Sequence, residues 1–223
     1  MIFEDVFDMV SSGEEMNRWE EHYTAGEMPW DTGVPDHNLV SVVADGRILP
    51  GKTLEIGCGT GTNSLWLSNG GFQVLGIDIA PTAIEMARSK AEGRTNPDFR
   101  CMDFLEEDFS SDQFDFVLDR GTFHTFDAPE IRMDFAHRVA DLLTPGGLWL
   151  SLIGSTEGPA REHGPPRRNA RNIVDALEPV LEIAELRSSA FGADNPAEDP
   201  AWMAWVCIAR KRTEPAQPPS SHG

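Results

Sequence analysis

Basic side chains are scarce in this chain: 18 Lys and Arg stand against 37 Asp and Glu, a formal net charge of −19. A field of that sign repels polyanions and the anionic face of a membrane, which argues against nucleic acid and phospholipid as partners. Arg161, Arg167, Arg168 and Arg171 gather in one Pro/Gly-rich loop and read as a solvated edge rather than a binding patch. Cysteine is also sparse. Cys58, Cys101 and Cys207 stand singly with no C-x-x-C pair, so neither a disulfide framework nor a zinc site is expected. No apolar run approaches the ~18 residues that span a bilayer. The opening MIFEDVFDMVSSGEEMNRWEE carries acids among its apolar positions and lacks a basic leader, so a cytoplasmic protein is expected. There is no internal repeat, and monomer and homodimer are left open.

What the chain does have is alternation. An acidic amphipathic segment runs to about Ala25, followed by the turn-rich GEMPWDTGVPDHNLVSVVADG with a short helix pattern. Then come apolar runs, KTLEIG, FQVLGID, DFRCMDF, FDFVLDRG and GLWLSLIGS. Helical patterns lie between them at 63–68, in PTAIEMARSKAEG with Pro81 near its start, and in APEIRMDFAHRVADLL, which is expected to end at Pro145-Gly146-Gly147. Strands alternating with helices imply an α/β fold with a mostly parallel sheet covered on both faces. Near the end, LEIAELRSSAF and AWMAWVCIARK are joined by a polar, proline-containing loop rather than a helix, which predicts an antiparallel hairpin at the sheet edge. The expected organisation is a helical cap or lid over 1–45, one domain over 46–212, and a disordered Pro/Ser tail over 213–223.

The chemistry concentrates at LEIGCGTGT, where an apolar strand turns into a helix through Gly57, Gly59 and Gly61. In an open α/β sheet ligands sit beyond the carboxyl ends of the strands, and a missing Cβ lets them approach the backbone. Asp78 ends the next strand, at the distance where nucleotide-binding folds place an acid on the ribose hydroxyls. Asp103 with Phe104 follows the third strand, a carboxylate able to accept from an adenine amine beside an apolar ring. With Cys58 in the turn and Ile79 beside Asp78, these residues describe a nucleoside pocket. The spacing is G-x-G-x-G, and position 62 is Thr rather than the third glycine of a dinucleotide fingerprint, which favours a ligand without a pyrophosphate over a nicotinamide dinucleotide. The competing reading is that the glycines serve only strand-helix packing and that Asp78 is a helix N-terminal acid.

The run Glu55-Ile56-Gly57-Cys58-Gly59-Thr60-Gly61 resembles the E-x-G-x-G-x-G motif of class I S-adenosylmethionine (SAM) dependent methyltransferases, and the resemblance covers roughly 52–212. It implies a Rossmann-like seven-stranded sheet ending in that hairpin, SAM as cofactor with S-adenosylhomocysteine as product, no metal, and transferase activity. Further motifs resemble the thiopurine, halide/thiol and tellurite branch: Trp19/Tyr23/Gly26, Pro29-Trp30-Asp31-Thr32-Gly33, Asp119-Arg120-Gly121 and Gly164-Pro165-Pro166. The glycine loop is of the general type, which turns the expectation away from thiopurines themselves.

By this resemblance the acceptor is a small soft nucleophile: a thiol, selenol, halide or tellurite-like species. Trp19, Tyr23 and Trp30 either face the sulfonium through cation-π attraction and exclude water, or pack the N-terminal helix on the domain. Arg120 is the candidate for holding an anionic acceptor. Asp119 either pairs with Arg120 or contacts the donor's amino group. His124 is either a base for a harder hydroxyl or amine acceptor, or a locally hydrogen-bonded histidine. The prolines after Gly164 either shape a loop over the pocket or separate two elements. From another class, the chain could bind SAM without catalysis.

Overall fold

The computed structural model describes residues 12–109, 113–160, 166–192 and 202–212. The tail expected from 213 onward, Arg161, Gly164 and Pro165 lie outside the described residues.

The apolar runs form β1 (Lys52–Ile56), β2 (Gln73–Asp78), β3 (Asp98–Cys101), β4 (Phe114–Arg120), β5 (Leu143–Gly154), β6 (Leu181–Ala190) and β7 (Met203–Lys211). They make one seven-stranded sheet in the order β3-β2-β1-β4-β5-β7-β6. Pairing is parallel from β3 to β5, whereas β7 runs antiparallel to both β5 and β6. The expected hairpin is present at the sheet edge, with its second strand on the inside against β5.

Side chains of a strand alternate between faces, and here both faces are apolar. On one, Val117, Trp149, Ile153 and Cys207 pack under α5 (Pro129–Leu142) and α6 (Ala170–Leu177), where Trp149 and Phe123 lie within 5.7 Å of one another, centroid to centroid. On the other, Phe116, Leu118, Leu150, Leu152, Val206 and Ile208 pack under α2 (His37–Ala44) and α3 (Thr62–Asn69). The helix α5 ends at Leu142, ahead of the expected stop at Pro145-Gly146-Gly147. A proline disfavours helical backbone at the residue before it, and the chain is already extended at Leu143 (ψ 139°), so these residues open β5 instead.

Two further helices place the site. The Ala80 N-cap of α4 (Pro81–Lys90) has no side-chain cap of its own. Glu20 of α1 (Ser12–Ala25) supplies it, accepting from Thr82 N at 3.0 Å and Thr82 Oγ1 at 2.5 Å, and this bond docks α1 on the domain.

Buried carboxyls hold the tips of β1 and β4. Glu55 is hydrogen-bonded by Asn63 Nδ2 at 3.0 Å and by Ser64 Oγ, which ties α3 to β1. Asp119 accepts from Ser151 Oγ at 2.6 Å and from the amides of Thr122 (2.7 Å) and Phe123 (3.1 Å), closing the short 3₁₀ turn Phe123–Thr125. Burial pushes Glu55 up to about 7 and Asp119 up to about 6, against the pull of those hydrogen bonds. Both values lie above the ordinary carboxylate range of ~4, so the stability these groups contribute is fully present below that pH and is lost as pH rises through 6 and 7. We therefore expect the denaturation midpoint of the ligand-free protein to fall between pH 5 and pH 8. Glu55→Gln should flatten the upper part of that fall by something on the order of 3 kcal/mol. Urea titrations at stepped pH check this; a midpoint that rises across the range, or an identical slope in the variant, would contradict it.

Candidate active site

At the carboxyl edge of the sheet the chain turns from β1 into α3 with positive φ at Gly57 (66°), Gly59 (53°) and Gly61 (80°), a region that favours glycine. Each also lacks room for a Cβ. It would lie 2.0 Å from Thr122 Oγ1 at position 57, 2.9 Å from Tyr23 Oη at 59, and 2.6 Å from the Phe99 ring at 61. The two readings of the glycines therefore combine. Gly57 and Gly59 line a cavity, while Gly61 is absent from its wall and serves the packing of α3 on β3 and α4.

That cavity has a volume of about 1080 Å³. One end lies over β1, β2 and β3. Here Asp78 accepts from Gly59 N through Oδ2 (2.9 Å) and from Ala80 N through Oδ1 (3.0 Å), so the turn and the acid fix one another. Burial raises the Asp78 pKa and those amides partly offset it. Glu55, Cys58, Ile79, Asp103 and Phe104 also line this end. Asp103 Oδ1 accepts from Leu105 N at 2.9 Å, and Phe104 packs on Phe135 with ring centroids 4.7 Å apart.

Over this end lies the N-terminal segment. Trp19 and Tyr23 set their rings edge-on to Trp30 at 5.6 and 6.0 Å, and the group rests on the N-cap Ala80 and on Ala83 of α4. All three rings line the cavity, so packing and lining are one arrangement rather than alternatives. Burial, with Asp78 nearby, raises the Tyr23 pKa and keeps its hydroxyl neutral over Gly59. The Pro29–Gly33 loop is latched to the glycine turn. Asp31 accepts from Thr60 Oγ1 (2.5 Å), Thr62 Oγ1 (3.3 Å) and Gly33 N (3.1 Å), with Lys90 Nζ at 3.6 Å. Burial alone would raise the Asp31 pKa; the hydrogen bonds from Thr60 and Gly33 and the Lys90 charge outweigh it and hold the group below the usual range.

The other end lies over β4 and β5. Arg120 and His124 line it, but Asp119 does not: it is fully buried behind the wall, committed to Ser151 and the 3₁₀ turn. Among the described residues Asp119 therefore makes no ion pair with Arg120, its two oxygens being taken by Ser151 and by the amides of Thr122 and Phe123. The partner of Arg120 is Asp36, 2.9 Å from its Nε, and Arg120 Nη1 donates to Trp30 O at 3.3 Å. His124 Nδ1 accepts the amide of Gly154 at 2.7 Å, a tie to the end of β5 rather than to its own turn. In neutral imidazole this puts the ring proton on Nε2, making that atom a donor. Phe191, Gly192 and Trp202, at the described ends of β6 and β7, complete this end. Arg168, read as a solvated arginine, is buried and donates to Asp127 Oδ1 at 2.7 Å and to Phe126 O, bracing the loop behind His124.

Sequence reasoning missed Asp36, Lys90, Thr122 and Phe191. Asp36 had a readable signal as the N-cap of an apolar helix, but its pairing with Arg120 crosses 84 positions. Nothing local marks Thr122 or Phe191.

Residues 53–147 match a family described as a methyltransferase domain. A probable thiol methyltransferase of Arabidopsis thaliana is 34% identical over 73% of this chain and 71% of that protein. A 2-heptyl-1-hydroxyquinolin-4(1H)-one methyltransferase of Mycobacteroides abscessus is 27% identical over 85% of this chain and 83% of that protein. Among solved structures, one described under the conversion of a disulfide bond into a thioacetal group during echinomycin biosynthesis aligns with a TM-score of 0.75 and 26% identity, covering 88% of this chain and 91% of that one. Such identity over most of both chains, on a sheet of this strand order with a glycine turn and strand-tip acids lining one cavity, shows that the chain belongs to the class I SAM-dependent methyltransferases and resembles their thiol-methylating members.

Proposed function

We propose that this methyltransferase acts on a small soft nucleophile, a thiol first among them, with SAM held over the tips of β1, β2 and β3. The donor set there fits SAM. The wall has no Cβ at Gly57 and Gly59, Asp78 and Asp103 are acceptors suited to ribose hydroxyls and an adenine amine, and Trp19, Tyr23 and Trp30 offer aromatic edges and faces to a cation. Glu55, Cys58, Ile79 and Phe104 complete the donor wall, and the described segment from 12 to 45 acts as a cap that keeps water out. When bound, SAM supplies the methyl group: the acceptor sulfur bonds the methyl carbon, the electron pair of the breaking carbon–sulfonium bond stays on the donor sulfur, and the thiol proton leaves to solvent.

The observation that carries the acceptor class is that the histidine expected as a base for harder acceptors is already engaged, as is the buried carboxylate nearest it in sequence. His124 Nδ1 is committed to Gly154, and both Asp119 oxygens are committed within the core. A soft nucleophile attacking a sulfonium needs positioning more than deprotonation. The similarity to a hydroxyquinolone methyltransferase keeps a second reading alive, a hydroxyl acceptor. It requires His124 to exchange its Gly154 hydrogen bond for the acceptor's proton, and so predicts turnover that rises through a histidine-like pKa and is lost in His124→Ala.

Calorimetric titration with SAM and S-adenosylhomocysteine, followed by turnover of thiols, iodide, hydroxyls and amines, tests the proposal. Micromolar binding of the sulfur nucleosides with methylation confined to the soft nucleophiles is expected; binding with turnover only of hydroxyls or amines would overturn the acceptor class, and binding without any turnover would support a non-catalytic SAM-binding role. The latch gives an independent prediction. Asp31→Ala should weaken SAM binding about tenfold, since it frees the loop that carries Trp30, while thiol turnover at saturating SAM changes little. An unchanged SAM affinity would remove the loop from the donor site.

A further inference from the structure

The cation at the acceptor end of the cavity is already balanced. Arg120 Nε donates to Asp36 Oδ2 at 2.9 Å, and Asp36 is 2% exposed. The same carboxylate caps α2, its Oδ1 accepting from Asn38 N and Asn38 Nδ2 at 3.0 Å each. Around it the end of β6 is fastened to α2. Asn38 Nδ2 donates to Ala190 O (2.9 Å), Ser189 Oγ to Asn38 Oδ1 (2.7 Å), and His37 N to Gly192 O (3.3 Å). One buried acid thus joins the tip of β4, the start of α2 and the end of β6. The result is the placement of the Phe191 ring, whose centroid lies 5.1 Å from the Arg120 guanidinium and 5.9 Å from the His124 ring.

The electrostatic consequence follows from what surrounds the guanidinium. Asp36 cancels its charge, Glu55 is close enough for Arg120 to act on it, and His124 accepts a hydrogen bond in its neutral form. A lone guanidinium in a partly desolvated cavity would attract any small anion; a paired one offers N–H donors without net charge.

We propose that Asp36 is the specificity-determining residue of the acceptor site. By neutralising Arg120 it admits the acceptor as an uncharged thiol and rejects bare inorganic anions, which would meet the Asp36 carboxylate just behind the cation. This rests on the soft-nucleophile reading. The role of Asp36 is indirect, since it acts through Arg120 and Phe191, and it separates two acceptor types that the chain's relatives alone do not distinguish.

Asp36→Asn tests it, because asparagine caps a helix as well as aspartate does while it removes the charge and the acceptor oxygen that faces Arg120. The wild-type enzyme is expected to favour benzyl mercaptan, uncharged at pH 7, over iodide and thiocyanate by about 100-fold in kcat/KM. The variant should narrow that ratio by about tenfold through a gain on the anions, with SAM affinity unchanged. A second readout needs no turnover. Thiocyanate titrated into the S-adenosylhomocysteine complex should bind the variant at millimolar concentration and not the wild type. Thiocyanate binding to the wild-type complex, or a variant identical to wild type in both readouts, would overturn the role of Asp36. Should no soft nucleophile be methylated at all, the acceptor class proposed above fails, and the thiocyanate titration still decides whether Asp36 excludes anions. Asp36→Ser, which also caps, replaces the asparagine variant if that one does not fold.

Discussion

The turn from β1 into α3 is the constraint on which the site depends. Three residues there sit in left-handed backbone, and at each a neighbour from a different part of the chain occupies the space a side chain would take: Thr122 after β4, Tyr23 of α1, Phe99 of β3. A tight turn brings the chain close to the sheet edge, and a bare backbone lets three other elements close over it. Asp78 then reads the turn directly through the Gly59 amide, so the position of this strand-tip acid and the shape of the glycine loop are one variable. Widening the turn at any of the three glycines would move the acid, the cap and the β4 tip together.

A chain with net charge −19 has acids to spare on its surface, but the ones that shape the site are buried. Glu55 ties α3 to β1, Asp78 ties β2 to the glycine turn, Asp119 closes the turn after β4, and Asp36 joins three elements around Arg120. Each is held by backbone amides, hydroxyls, an amide side chain or a guanidinium, the pairing that makes burial of a carboxylate tolerable. Their raised pKa values, where burial wins, are the residue of that cost, and they place the protein's best ligand-free stability on the acidic side of neutrality.

The fold was legible because strand runs and helical patterns alternate over the whole chain, and because the one junction without a helix marks the antiparallel end. Helix ends were less legible: Pro145 acts backward through Thr144, so α5 stops before the glycines that seemed to end it. In the site, residues carried by a contiguous motif, Gly57 to Gly59 and Asp78, were readable, as were the rings at Trp19, Tyr23 and Trp30. Nothing in the sequence separates Asp119 from the cation that follows it. Along a strand, adjacent side chains face opposite sides, so Asp119 goes into the core while Arg120 lines the cavity. The true partner, Asp36, lies before α2 and is brought there only by tertiary packing.

That exchange of partners changes the chemistry the acceptor end supports. An Arg120 free of any carboxylate would act chiefly by charge, collecting anions and lowering a thiol's pKa. Paired with a buried aspartate, its charge is balanced where it stands, and what remains is directional: a planar donor stacked against Phe191, beside an imidazole whose tautomer the Gly154 amide sets. Charge balance in the pocket also suits the reaction, because the donor arrives as a cation and leaves neutral. A strongly positive acceptor end would oppose that cation's entry while holding on to anionic acceptors. On the proposed soft-nucleophile reading, a balanced one would leave stabilisation of the sulfonium to the aromatic rings and selection of the nucleophile to polarizability rather than charge.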